Sequence, residues 1–323
     1  MTVKEKLLPM LCENRDRFIS GEEAAEKIGV SRTAIWKAVA SLKNDGYKIQ
    51  AVTNKGYRLE DINDVLSKSE IENFIGPLAE KLDITVKQTV TSTNAVLKEN
   101  AAALKEGAIL IAAEQTSGRG RFARKFYSPD GSGIYMSIFL RPQLAAENSV
   151  LITTAAAVAV AMAAEELSGR KAGIKWVNDV LMDGKKICGI LTEAALDIES
   201  GKLDYAILGI GLNAYEPDGG FPDEIKNIAG AIFDEKNNSL KNQLAAKIIT
   251  YFFEFYSSLE KRSFLEAYKE KSIVIGKKIL VISGDKKIPA TAIGIDENCR
   301  LEVCYENGKK DILSSGEIST KLM

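Results

Sequence analysis

The hydrophobic pattern of this chain changes character twice, and that limits the folds open to it. Up to about residue 62, apolar positions recur at helical spacing and then give way to two short extended runs. From about 69 to 270, long apolar runs alternate with helical stretches, and from about 273 to 323 the runs are short and broken by turn residues. One core does not produce three such patterns, so the 323 residues divide as 1–62, 69–270 and 273–323.

In the first block, Ser20 with Glu23 predicts a capping box that opens a short helix. Gly29 and Val30 make a turn, and Ser31 caps a second helix that stops at Gly46. Ile35, Ala38, Val39 and Leu42 form its apolar face, while Thr33, Trp36, Lys37 and Ala40 lie opposite. YKIQAV and YRLE, joined by residues 53–56, predict a hairpin. Helix, turn, helix, hairpin is the outline of a winged helix-turn-helix. Residues 1–60 carry 11 Lys/Arg against 8 Asp/Glu. A small interaction module with a solvated basic face remains an alternative, but the order of elements favours DNA binding. Ser31, Arg32, Thr33, Trp36 and Lys37 would then face a major groove, with Lys55 and Arg58 of the wing on phosphates.

A polar linker follows near Asp61 to Ser67, and Ser69 with Glu72 opens a new helix. The strands ITVKQT, AILIAAE, IYMSIFL, AGIKWV, KICGILTEA and YAILGIGL alternate with helices at 92–105, 148–167 and 240–262. This predicts a mixed sheet covered by helices. The apolar window from Val150 to Ala164 is about 15 residues, short of the roughly 20 that span a bilayer, and reads as a buried helix. The third block, with KKILVIS, PATAIGI, RLEVCYE and KKDILS, predicts a small β-barrel. The fold class is α+β.

Composition narrows the chemistry. The chain has no histidine, so a Ser-His-Asp or Cys-His nucleophile, a His-ligated zinc and an imidazole base are all excluded. Lys plus Arg is 43 and Asp plus Glu is 44, so any nucleic-acid contact must come from a local patch. Cys12, Cys188, Cys299 and Cys304 form no C-x-x-C pair and suit a reducing cytosol. Charges interrupt the apolar stretch at the N-terminus, which is no signal peptide, so the expected location is cytoplasmic, with no membrane partner.

Four segments of the central block carry the chemistry. The run Gly118-Arg119-Gly120-Arg121-Phe122-Ala123-Arg124-Lys125 joins two strands and offers glycines and guanidiniums to an anion. A long Gly- and Arg-rich loop is expected to be mobile until a ligand orders it. Lys175-Trp176-Val177-Asn178-Asp179 places a lysine at a strand end, where Asp179 is an oxygen partner for it or for Mg²⁺, and Lys186 leads into the next buried strand. Gly209-Ile210-Gly211-Leu212-Asn213 ends a strand, and its glycines would admit a phosphate or ribose to the backbone. Thr91-Ser92-Thr93-Asn94 reads first as a helix cap, with a polar head group as the second possibility.

T-S-T-N, G-R-G-R-x-x-R, K-W-x-N-D with a K-x-x-G eleven residues after its first lysine, and G-x-G-x-N, in this order, resemble the biotin–protein ligase family. With the helix-turn-helix in front, the chain is similar to the bifunctional bacterial type, biotin–acetyl-CoA-carboxylase ligase and biotin operon repressor. The resemblance covers essentially the whole chain. It implies a central biotin/lipoate-ligase-like domain related to class II synthetases and a C-terminal SH3-like barrel.

The resemblance also implies substrates, partners and roles. Biotin and ATP would be substrates, with Mg²⁺, and a biotin carboxyl carrier protein, operator DNA and a second copy in a homodimer would be partners. Ser92, Thr93, Asn94, Gln115, Gly118, Arg119, Arg121 and Lys186 would hold biotin. Arg121, Arg124, Phe126, Asn178, Asp179 and Asn213 would serve ATP, with Asp179 the candidate Mg²⁺ ligand. Lys186, Arg121, Asp179 and Lys175 would be catalytic. A carboxylate is already an anionic nucleophile, so its activation needs cations rather than imidazole. The chain departs from the family pattern at Val177, where Pro is usual, at Ala123, where Gly is frequent, and at Phe126, usually Trp. A lipoate–protein ligase and a transcription factor with a degenerate ligase domain stand as rival readings.

Overall fold

The computed structural model describes residues 2–44, 46–60, 64–197, 199, 201–283, 286–314 and 317–319. The part of the expected linker at Asp61, Ile62 and Asn63 lies outside the described residues. The chain forms two compact units, 1–67 with 235–242, and 68–234 with 243–323.

The first unit contains α1 (Val3–Glu13), α2 (Gly21–Ile28), α3 (Arg32–Asn44), β1 (Ile49–Val52) and β2 (Gly56–Leu59). The sequence reading contained no α1, because Pro9 and the scattered charges mask its pattern. Leu7, Leu8 and Leu11 of α1 nonetheless pack against Ile35, Val39 and Leu42 of α3 in one core. The reciprocal capping box belongs to α1: Thr2 Oγ1 accepts from Glu5 N at 3.3 Å, and Glu5 accepts from Thr2 N at 2.7 Å. At Ser20 only half of the expected box forms. Ser20 Oγ accepts from Glu23 N at 3.0 Å, but the Glu23 carboxylate is taken by Arg17 at 2.7 Å and Lys27 at 3.2 Å. The wing is the antiparallel pair β1–β2. Ile19 and Tyr57 exchange two 2.8 Å backbone bonds, tying the wing to the approach of α2. Gly56 sits there at φ +105°, where a Cβ would lie 2.0 Å from Ile19 O.

The second unit is built on a seven-stranded mixed sheet of β3 (Asp83–Val90), β4 (Ala108–Gln115), β5 (Gly133–Leu140), β6 (Ala172–Lys175), β7 (Asp179–Met182), β8 (Lys185–Leu196) and β9 (Leu203–Asn213). Its order is β3-β4-β5-β9-β8-β7-β6, parallel only between β3 and β4. β7 is a strand additional to those expected, and the turn that the sequence places at Asp183-Gly184, leading into Lys185, forms there. Asp183 and Gly184 both have positive φ, which closes a two-residue hairpin from β7 to β8.

α4 (Lys68–Ile75), α5 (Thr93–Glu99), α6 (Val150–Ser168), most of α7 (Leu240–Tyr256) and α8 (Leu265–Glu270) complete this part of the unit. Leu151 through Ala161, with Ala163 and Ala164, are buried, so the long apolar segment is a core helix. α5 is shorter than the expected 92–105, because the Asn100 amide donates to Val96 O at 2.8 Å and satisfies a last-turn carbonyl. The expected 240–262 helix ends at Tyr256, and α8 is additional. The third block is a five-stranded antiparallel sheet of β10 (Lys278–Ser283), β11 (Lys286–Ile295), β12 (Leu301–Tyr305), β13 (Lys310–Leu313) and β14 (Glu317–Ser319). It shares the second unit with the larger sheet, and Trp176 Nε1 donates to Cys299 O at 3.0 Å between them.

Candidate active site

A cavity of about 430 Å³ opens on the seven-stranded sheet, within the size range of small-molecule sites. Its floor is made by glycines that face side chains. A Cβ on Gly211 would meet the Phe126 ring at 2.5 Å, and one on Gly209 would meet Asn94 Oδ1 at 2.3 Å. This corrects the expectation that these glycines admit a phosphate or ribose to the backbone. The space above Gly209 and Gly211 holds Asn94 and Phe126.

One end of the cavity is polar and buried. Ser92, Thr93 and Asn94 open α5 with 3–5 % of their surface exposed. Ser92 Oγ accepts from Ala95 N at 3.5 Å, so the cap is present as well. Gln115, at the end of β4, accepts from Thr93 N at 2.9 Å and donates through Nε2 to Ser128 Oγ at 3.1 Å. Gly118 does not line the cavity. It supports the wall, since a Cβ there would lie 2.5 Å from both Phe126 O and Ser128 Oγ.

The other end is cationic. Arg119, Arg121, Arg124, Lys175 and Lys186 all line it. The arginine loop is a tight hairpin: Phe126 N donates to Gly118 O at 2.9 Å and Gly120 N to Arg124 O at 2.8 Å. Arg121 Nη1 donates to Asn178 Oδ1 at 3.0 Å, and the guanidinium carbon lies 5.1 Å from the Phe122 ring centroid. Lys175 and Asp179 stand opposite each other across the β6–β7 hairpin. Lys186 Nζ lies 2.6 Å from Asp179 Oδ1. That contact is an ion pair of close charges with poor alignment, because Asp179 Oδ1 has no directed donor among the described residues. Asn213 Nδ2 donates to Gly230 O at 3.0 Å, which anchors the segment 225–230 along the cavity.

No group of three His, Cys, Asp or Glu side chains with metal-binding geometry occurs among the described residues. Asp179 is a single carboxylate with a lysine beside it, so the described residues offer no carboxylate cage for Mg²⁺. A divalent ion here would arrive on substrate phosphates.

Three features were not expected from the sequence: Ser128 and Ser137, which orient the polar end, and the lining by Phe221, Ile225 and Ile228. Ser137 sits in an uninterrupted apolar strand, where its isolated hydroxyl was the available signal. The 221–228 segment carries no periodic pattern.

In the first unit, Ser31, Arg32, Thr33, Trp36 and Lys37 are exposed on or beside α3, with Trp36 61 % exposed, and Lys55 is exposed at the wing tip. Arg58 is engaged within the unit, donating to Gln50 Oε1 at 3.0 Å and lying 4.9 Å over the Phe18 ring.

Residues 86–213 match the biotin/lipoate A/B protein ligase family, 274–321 the biotin protein ligase C-terminal domain and 3–58 a helix-turn-helix domain. The chain is 32% identical to the bifunctional ligase/repressor BirA of Bacillus subtilis (strain 168) over 319 residues, 97% of this chain and 98% of that one. The chain belongs to the biotin–protein ligase family, in its bifunctional ligase/repressor branch. Across 99% of its length this ligase-family protein is also 29% identical to the bifunctional ligase/repressor BirA of Escherichia coli (strain K12), covering 98% of that chain. Among solved structures, it resembles the biotin protein ligase from Aquifex aeolicus in complex with biotin and ATP. That match has a TM-score of 0.59 at 27% identity and covers 73% of this chain and 97% of that one.

Proposed function

We propose that this protein joins biotin to a lysine of a carboxylase biotin carboxyl carrier protein at the expense of ATP, and that it represses biotin genes by binding their operator. The observation that carries the first activity is one cavity that joins a buried amide-and-hydroxyl end to a cationic rim including Arg119, Arg121, Arg124, Lys175 and Lys186, bridged by Phe126. The polar end suits an uncharged ureido ring, the cations suit a carboxylate and phosphates, and the aromatic ring suits adenine.

In the first step a biotin carboxylate oxygen bonds to the α-phosphorus of ATP. The bond to the bridging oxygen breaks, and pyrophosphate leaves. Lys186, Arg121 and Arg124 stabilise the charge gathered on the transferred group, and Lys175 adds to that field. Ser92, Thr93, Asn94 and Gln115 hold the ring, with Gly118 and Arg119 shaping the wall. Phe126, Asn178 and Asn213 position the nucleotide. In the second step a neutral lysine amine attacks the acyl carbon, the bond to the phosphate oxygen breaks and AMP leaves. Asp179 takes the amine proton. Mg²⁺ would accompany ATP as its counter-ion, with Asp179 the one carboxylate near it among the described residues.

The second activity rests on the exposed face of α3 and the wing. We propose that biotinyl-AMP stiffens the arginine hairpin and lowers the cost of pairing two copies through sheet edges, which gives a homodimer with two winged helices for a palindromic site. β3, an edge strand exposed at most of its positions, offers such an edge. The protein would work in the cytoplasm.

Incubation with labelled biotin, ATP–Mg²⁺ and a carboxylase carrier domain tests the ligase reading. Label on the carrier and stoichiometric pyrophosphate are expected, and lipoate incorporation in place of biotin would overturn it. A gel shift of biotin-operon DNA with and without biotin plus ATP tests the corepressor reading, which equal binding in both arms would remove.

A further inference from the structure

Behind the polar end of the cavity runs a chain of four side chains whose hydrogen-bond direction is fixed from one end. Glu193 of β8 does not line the cavity. Its Oε1 lies 3.8 Å from Lys98 Nζ, and its Oε2 accepts from Asn94 Nδ2 at 2.8 Å. A carboxylate and the Leu191 carbonyl, 3.4 Å away, are both acceptors. The Asn94 amide must therefore present its NH₂ to them and turn Oδ1 inward.

Ser137, fully buried, has its Oγ 2.6 Å from Asn94 Oδ1 and 2.6 Å from Thr93 Oγ1. It has one proton for two contacts. Asn94 Oδ1 brings none, so the Ser137 proton must go there; otherwise two oxygens would face each other at 2.6 Å with no hydrogen between them. The Ser137–Thr93 contact is then closed by the threonine's own proton. Gln115 Oε1 keeps its backbone donor, Thr93 N, at 2.9 Å. The Thr93 hydroxyl also lies 3.1 Å from Gln115 Oε1, and its one proton goes to the shorter 2.6 Å contact with Ser137, because Gln115 Oε1 already has the backbone donor whereas Ser137 has no proton left for that contact. Toward the cavity Thr93 Oγ1 then offers lone pairs only. Gly209 permits the arrangement, since any Cβ there would collide with the Asn94 amide at 2.3 Å.

We propose that Glu193 is a positioning residue that sets the polarity of the ligand-binding end. Through Asn94 and Ser137 it makes Thr93 an obligate acceptor, polarised by a charge three hydrogen bonds away, and so selects a ligand that presents an N–H at that point. The inference rests on the reading above, in which the ureido ring lies at Thr93 and Gln115.

Glu193→Gln keeps the shape and removes the direction. Glutamine can turn its own NH₂ toward Asn94, so the amide can flip, and both senses of the chain become accessible. The expected result is a rise in biotin KM of about tenfold, the size of a lost charge-assisted bond, with kcat at saturating biotin and the ATP KM little changed. A biotin analogue methylated on one ureido nitrogen supplies a readout that a merely structural role would not move. Wild type should discriminate strongly between biotin and this analogue, and the variant should lose much of that discrimination. Combining Glu193→Gln with Ser137→Ala should cost clearly less than the sum of the two single changes, because both break one chain. Unchanged discrimination together with additive effects would overturn the proposal. Failure of wild type to turn over biotin would instead sink the underlying function, so the two failures are distinguishable.

Discussion

Lys186 and Asp179 share a face of the sheet only because β8 carries one extra residue. Asp179 pairs with Gly189 and Leu181 pairs with Lys186, two steps along β7 against three along β8. In regular register the position beside Asp179's neighbour would belong to Ile187, and Lys186 would point to the other face. The bulge brings Lys186 Nζ to 2.6 Å from Asp179 Oδ1 and into the cavity with Arg121.

Lys186→Ala and Arg121→Ala are therefore each expected to lower adenylate formation by about a hundredfold or more while the protein stays folded, the scale of losing one preorganised cation. Pyrophosphate release in single turnover and thermal unfolding measure the two halves of that statement. Near-normal release in either variant refutes the role given to that residue.

The two glycines of β9 separate the ends of the site. Gly211→Ala would push on the Phe126 ring, and Gly209→Ala on Asn94. Gly211→Ala is expected to raise the ATP KM about tenfold with a smaller effect on biotin, and Gly209→Ala should do the reverse. Steady-state kinetics with each substrate varied in turn would expose a wrong assignment if both variants changed the same constant.

On the helix-turn-helix unit, Lys37→Ala and Lys55→Ala should weaken operator and unrelated DNA alike, each lowering the salt slope by about one. Trp36→Ala should reduce the preference for the operator. Fluorescence anisotropy across a salt series measures both. Operator binding unaffected by all three would remove α3 and the wing from the interface.

The Arg17 guanidinium, hydrogen-bonded to Glu23 and aided by Lys27, holds that carboxyl down to about 2 from its ordinary 4.5. A carboxyl lowered on folding adds stability that is full above 4.5 and is lost as pH falls toward about 2. Arg17 is exposed and Glu23 partly so, so the effect is small and screened by salt. Glu23→Gln should lower the unfolding midpoint slightly at neutral pH and flatten its decline between 4.5 and 2. Superimposable acid limbs would mean that the pair contributes nothing.

Burial pushes the Cys299 thiol up to about 11 and the Cys188 thiol higher still, whereas Cys12 and Cys304 are only partly buried. At mildly alkaline pH an alkylating reagent should modify Cys12 and Cys304 first and reach the other two only on unfolding. Mass spectrometry of the labelled peptides decides it.

The sequence by itself determined the chemistry available and the order of the parts. A chain without histidine must activate through cations, and those cations sit in two short motifs whose spacing is local. The apolar face of α3 was readable because burial of one side imposes a period on neighbours in sequence, and α6 and the central strands were readable as unbroken apolar runs because they are buried on every side. What Pro9 interrupts in α1, and the four residues of β7, too few to show an alternation, carry no such period. Tertiary structure alone decided the rest. A one-residue bulge chose the face of Lys186, and the close approach of Gly209 gave Asn94 its place. The direction of the Glu193–Asn94–Ser137–Thr93 chain follows from which oxygens have a proton to give, and those oxygens come from α5, β5 and β8. Contacts between segments so distant in the chain leave no mark in a local pattern, because each residue looks ordinary until its partner is beside it.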